Sequence, residues 1–89
     1  MRFLREDFPR AVRALEGLHG LGRTKNPNNE SLTRPDAFQY NFDHLSGHLM
    51  ALSANPEIPD PETGLPQAVH VGWRALALLE VYLRENGEA

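Results

Sequence analysis

The chain has no cysteine, which excludes disulfides and thiolate metal centres. It has no apolar run near the roughly 18–20 residues that a bilayer-spanning helix needs. The opening Met1-Arg2-Phe3-Leu4-Arg5-Glu6-Asp7 meets charge too early for a secretory signal. These absences predict a soluble, cytoplasmic protein. Lysine is nearly absent too, with one against eight arginines, which bears on source composition rather than function. No Ser/His/Asp arrangement, glycosidase carboxylate pair or dinucleotide fingerprint is present.

What remains is an 89-residue chain, read as one domain over residues 1–89. A chain this short removes only about 60–65% of its unfolded surface from water, so it needs supplementary stabilisation. Without cysteine, that help comes from a His/carboxylate metal site or from self-association. The net charge of −3 argues against a dedicated DNA or RNA binder, whose affinity rests on neutralising phosphates. The charge is also uneven. Residues 1–34 carry seven basic and four acidic side chains, and residues 35–89 carry two and eight. That polarity suits a small anionic ligand bridged by metal, and equally a head-to-tail contact between subunits.

The pattern is all-α, a compact bundle of three principal helices. Asp7-Phe8-Pro9 reads as a helix start, because proline is tolerated where its missing N–H has no partner. Phe8, Val12, Leu15 and Leu18 then recur at helical spacing, and Gly20 and Gly22 are expected to end this first helix. His19 to Pro35 is predicted to be a long irregular loop, functional or disordered, whose glycines with Arg23, Lys25 and Arg34 suit phosphate contact. The bland alternative is a solvated connection. The loop lacks the Walker A order.

The second helix is expected from the Asp36 cap to Asn55, stopped by Pro56. Phe38, Phe42, Leu45, Leu49 and Leu52 step by four and three, an apolar seam for helix packing, with Asn41, His44, His48 and Asn55 along its flank. The third helix is expected from Thr63 or Gly64, with Pro66 in its first turn, to Asn86. It carries two apolar stripes, one through Leu65, Val69, Gly72, Leu76, Leu79 and Leu83, the other through Val71, Ala75, Leu78 and Tyr82. Two stripes imply cover on two sides, and a second subunit is the expected second cover. Trp73 lies off both stripes, a candidate stacking or interface residue.

His44 and His48, four apart, present two imidazoles on one helical face, a spacing that can chelate a divalent metal. Leu45 stands where a zinc protease needs glutamate, so that chemistry is excluded. The bland reading is that these histidines only bond a neighbouring helix. Asp60, Glu62 and Glu57 sit in a loop stiffened by Pro56, Pro59 and Pro61, and rigid carboxylates suit Mg²⁺ or Mn²⁺. Alternatively Asp60 or Glu62 merely favours the N-terminus of the third helix through its dipole. His70, one turn past Pro66, is placed to join His48. The helical Glu-x-x-Glu pairs of all-α nucleotide pyrophosphatases are missing.

The run Phe38-Gln39-Tyr40-Asn41-Phe42-Asp43-His44-Leu45-Ser46-Gly47-His48-Leu49, with Asp60-Pro61-Glu62-Thr63-Gly64-Leu65-Pro66-Gln67-Ala68-Val69-His70, resembles a phage-associated family. That family is the dATP/dGTP diphosphohydrolase N-terminal domain, and the resemblance covers roughly residues 12–84. Carried over by position, it implies that His48 matches the helix histidine, Asp60 and Glu62 the acidic loop, and His70 the later histidine. Three positions depart: Gly47 replaces an arginine, Gln67 a histidine and Trp73 a common asparagine.

The resemblance implies a phage-encoded protein acting on purine (deoxy)nucleotides in the cytoplasm of an infected bacterial host. Three functions follow. The first is capture, without turnover, of a purine nucleotide or a nucleotide-derived defence signal. Its ligand contacts would come from Arg23, Lys25, Arg34, Asn41, His44, His48, His70 and Trp73. The second is metal-assisted hydrolysis of a nucleoside triphosphate, with Asp60, Glu62 and His48 holding Mg²⁺ or Mn²⁺. The third is an interaction module directed at a host protein through the second stripe of the third helix. The departures favour capture over turnover.

Overall fold

The computed structural model describes residues 3–87. Among them are five helices: α1 Leu4–Asp7, α2 Pro9–Lys25, α3 Glu30–Thr33, α4 Ala37–Ala54 and α5 Gln67–Asn86. The expectation of three helices is corrected to three long helices with two single-turn ones. No described helix is long and apolar enough to cross a membrane.

The largest correction falls on the segment expected to be irregular. Here α2 runs straight through Gly20 and Gly22 to Lys25. Glycine costs a helix only about 1 kcal/mol relative to alanine, too little to stop one that is otherwise supported. The Thr24 hydroxyl donates back to the Gly20 carbonyl at 3.0 Å, and Arg23 and Lys25 sit in the last turn, where the helix dipole favours cations. The effective stop is Pro27, which holds Asn26 at φ −133°, ψ 78° outside the helical region. Asn29 adopts a left-handed φ of 50° and leads into α3, which ends as Arg34 takes an extended conformation before Pro35.

α4 keeps its expected bounds, set by Asp36 and Pro56. Asp36 is at the N-cap position but makes no side-chain cap bond, because its carboxylate is held by Arg34 at 2.6 Å. α5 starts later than expected, at Gln67, with Pro66 as its N-cap residue. Residues 60–65 form a closed loop instead of a first helical turn. The Asp60 N–H donates to Leu65 O at 2.9 Å and the Gly64 N–H to Asp60 O at 2.7 Å. Gly64 takes φ 73° to close it, a conformation that glycine adopts without penalty.

α5 packs on both α2 and α4, which do not touch each other, so the long helices form a layer with α5 in the middle. On the α2 side, Gly72 lets Leu15 approach: a Cβ at that position would sit 3.3 Å from Leu15 Cδ2. Gly72 of the first apolar stripe thus faces α2, whereas Ala75 and Tyr82 of the second stripe are exposed.

The α4 side departs from the expected seam. Phe42 is 46% exposed, Leu49 51% and Met50 74%. The inward row of α4 is instead the buried Ala37 and Asn41 with the half-buried Leu45, His48 and Leu52, rotated about 60° toward the polar flank at 100° per residue. It meets an equally polar row of α5, Gln67, His70, Arg74, Ala77 and Val81. Bonds from residue 41 to 74 and from 48 to 67 make the pair antiparallel. Only Ala37, Ala77 and Val81 form a fully buried apolar core among the described residues.

Candidate functional site

Polar side chains fill the interface between α4 and α5, and the Asp60–Leu65 loop closes one end of it. His48 and His70 stack face to face, ring centroids 4.5 Å apart and planes 15° from parallel. His48 Nδ1 lies 2.7 Å from Gln67 Oε1; an amide oxygen only accepts, so Nδ1 carries the proton. His70 Nε2 lies 2.7 Å from the Thr63 hydroxyl, which is itself 3.3 Å from Asp60 Oδ2. A proton can thus pass between His70 and Asp60 through Thr63.

Asp60 is the hub of the loop. Its Oδ2 accepts from the N–H groups of Glu62 and Thr63 at 3.2 and 3.1 Å. Its distances to the two rings are 3.9 Å to His48 Nδ1 and 3.7 Å to His70 Nε2. Burial pushes the carboxyl upward, but the Thr63 N–H, the His70 charge and the Thr63 hydroxyl together outweigh it and hold Asp60 below its ordinary value. Burial, then the neighbouring charges of His48 and Arg74, pushes His70 down, against the pull of Asp60 and Glu62. His44 is pushed down by burial and then by Arg74.

Beside this constellation opens a cleft of about 380 Å³ lined by Asp43, His44, Gly47, His48, Ala51, Asp60 and Gln67. Gly47 contributes no side chain, and a Cβ there would meet nothing within 4 Å, so the cleft is open on that side. Its size falls in the range of small-molecule sites.

The profile of the family described as dATP/dGTP diphosphohydrolase, N-terminal, matches residues 1–89. The chain belongs to that family. No curated protein and no solved structure matches it. In this member of the family His48, His70 and Asp60 lie together at one end of the interface between α4 and α5.

The other expected site residues are distributed more widely. His44 lines the cleft, its ring 4.5 Å from that of Tyr40. Asn41 is fully buried and its amide is saturated inside the protein. Arg34 is exposed, paired with Asp36 and 3.9 Å above the Tyr40 ring. Trp73 faces α2, donating to His19 Nδ1 at 3.3 Å, and lines a different, apolar groove with Phe3, Val12, Leu15 and Leu76. Arg23 and Lys25 are exposed at the end of α2, a helix that makes no contact with α4.

As a cation site, the loop offers little. Asp60 Oδ2 is taken by loop donors, Glu62 is exposed, and no group of three or more histidine, aspartate or glutamate side chains among the described residues is arranged to hold an ion. A hard cation takes about six oxygen ligands, so these residues do not make a cage by themselves. The residue that sequence reasoning passed over is Arg74. Its signal was the spacing of Gln67, His70, Arg74, Ala77 and Val81, a row with the three-four rhythm of a packed helix face.

Proposed function

We propose that this domain binds a purine deoxynucleotide in the cleft between α4 and the Asp60–Leu65 loop and holds it without turnover. The observation that carries the proposal is a cleft lined by His44, His48, Asp60 and Gln67, with His70 stacked on His48, in a chain of the dATP/dGTP diphosphohydrolase N-terminal family. His48 and His44 present ring edges to the phosphate or base, and Gln67 fixes the orientation of His48. A Mg²⁺ or Mn²⁺ ion belongs in this proposal as a companion of the phosphates, with Asp43 and Asp60 the carboxylates that line the cleft.

Calorimetric titration with dATP, dGTP, dCTP and dTTP, followed by chromatography of the recovered ligand, tests the proposal. Purine nucleotides should bind, return intact, and bind at least tenfold more weakly to His48→Ala. Equal binding of all four nucleotides, or of none, contradicts it. Hydrolysis is the second reading, favoured by the Asp60–Thr63–His70 proton path; release of pyrophosphate lost in Asp60→Asn would establish it.

Self-association belongs to the same proposal. A fold with three fully buried apolar residues leaves Phe38, Phe42, Leu49 and Met50 facing water along one helix, and a second copy is the cover we assign. Light scattering should give a mass above that of one chain, reduced to one chain by Phe42→Glu.

A further inference from the structure

We infer that Arg74 is a phosphate-binding residue, held ready by Asn41 and flanked by the rings of Tyr40 and Trp73. The inference rests on the nucleotide reading above and names a contact that reading did not contain.

Arg74 is a half-buried cation with no carboxylate partner. Among the described residues no acidic oxygen lies within 4.0 Å of it, whereas Arg34 and Arg84 each have one at 2.6 Å. Its Nη1 donates to a neutral acceptor, Asn41 Oδ1, at 2.8 Å. Its other near neighbours are aromatic, with the guanidinium carbon 5.4 Å from the Tyr40 ring centroid and 5.2 Å from that of Trp73, and the Tyr40 hydroxyl also favours its charge. A partly desolvated arginine of this kind costs stability unless an anion completes its surroundings. Burial indeed disfavours its charged form.

The support beneath it is specific. Asn41 is 0% exposed, and its Nδ2 donates to two carbonyls, Ser31 O and Ala37 O, both at 2.8 Å. With both amide hydrogens used, Oδ1 can only point at Arg74. That fixes one Nη1 hydrogen and the plane of the fork, leaving donors on the other nitrogens. A planar fork with free donors matches the geometry of phosphate oxygens.

The surroundings also favour an anion. His44 and His70 both lie close enough to Arg74 for its charge to oppose their protonation. Asp36 is engaged by Arg34, Asp43 by Gln39 and Asp60 by its own loop, and the exposed Glu62, whose charge favours the Arg74 cation, stays beyond 4.0 Å of it. A phosphate would meet Arg74 directly and lie beside the imidazoles.

Two measurements with inorganic pyrophosphate and dGTP as separate probes test this. In the first, calorimetry compares the wild-type protein with Arg74→Gln and Arg74→Lys. Affinity for both probes should fall at least tenfold in Arg74→Gln, with partial recovery in Arg74→Lys, and the circular dichroism should stay unchanged. In the second, which needs no variant, wild-type protein is treated with an arginine-specific dicarbonyl reagent and read by mass spectrometry. Either probe at saturation should slow modification of Arg74 relative to Arg10 and Arg84. Protection by pyrophosphate without any nucleotide binding would keep Arg74 as a phosphate contact and remove the nucleotide reading. Unchanged affinity in Arg74→Gln overturns the inference even if dGTP binds. Should Arg74→Gln fail to fold, equal modification with and without both probes overturns it.

Discussion

Replacing Asn41 by alanine tests how the interface between α4 and α5 is held. The amide makes three bonds: two from Nδ2 to the Ser31 and Ala37 carbonyls, and one accepted by Oδ1 from Arg74, each 2.8 Å long. A neutral intramolecular hydrogen bond is worth about 1 kcal/mol net, and one to a charged group about 1.5–3 kcal/mol. Arg74 is only half-buried and Ser31 is partly accessible, so water recovers part of the loss. The expected cost is about 3 kcal/mol. For a chain of this length the total stability is about 4–13 kcal/mol. At about 4–8 °C per kcal/mol, the midpoint should drop by roughly 12–24 °C.

Urea denaturation of Asn41→Ala, Arg74→Met and the double variant gives the cycle. If Asn41 holds Arg74, the two losses are not additive, and the coupling should be about 1–2 kcal/mol. Gln39→Ala is the control, since its exposed bond to Asp43 at 2.8 Å should be worth under about 0.5 kcal/mol. A cost for Asn41→Ala no larger than the control, or additive losses in the cycle, would refute the reasoning. In that case the buried amide is incidental to packing.

Glycines divide by conformation: Gly17→Ala and Gly20→Ala lie within α2 with open space at Cβ and should each raise stability by about 0.5–1 kcal/mol, whereas Gly64→Ala at φ 73° should lower it by about 1 kcal/mol, all read by urea midpoints. A pH series reports on His70. Its proton affinity in the folded protein is depressed by burial and by the charges of His48 and Arg74, with Asp60 and Glu62 opposing. The unfolded chain therefore takes up that proton first. Stability should be fully present above the unfolded value of about 6.5 and fall as the pH drops from there toward the lower folded value, with a shallower fall in His70→Gln.

Much of this was legible in the sequence where punctuation is strong. α4 lies between Asp36 and Pro56 because the proline fixes its end regardless of tertiary context. Asp60, His48 and His70 meet because a twelve-residue, proline-rich connection returns the chain beside the end of α4 that it has just left. Glycine misled as a stop signal in α2, where the penalty is small and Pro27 sets the limit. The packing face of α4 misled for a different reason. Apolar periodicity identifies the side of a helix that avoids water, and here the row facing α5 is the polar one. Spacing alone does not separate an inward seam from one left for another surface.

That inversion has a consequence for stability. Polar atoms inside an interface contribute little net energy even when satisfied, and among the described residues no buried side-chain nitrogen or oxygen lacks a partner. Removing one partner should be costly, while replacing the whole set by apolar groups of similar size removes desolvation cost and unpaired groups together. A variant carrying Asn41→Leu, His48→Leu, Gln67→Leu, His70→Leu and Arg74→Met should therefore keep the helices and match or exceed the wild-type midpoint. Its affinity for dGTP should disappear, because Arg74 and both stacked imidazoles have gone. Such a trade would identify the polar row as retained for ligand binding at the expense of the core. A large loss of stability in the same variant would instead show that the hydrogen-bonded row specifies how α4 and α5 dock, and the site would have to be sought elsewhere on the molecule.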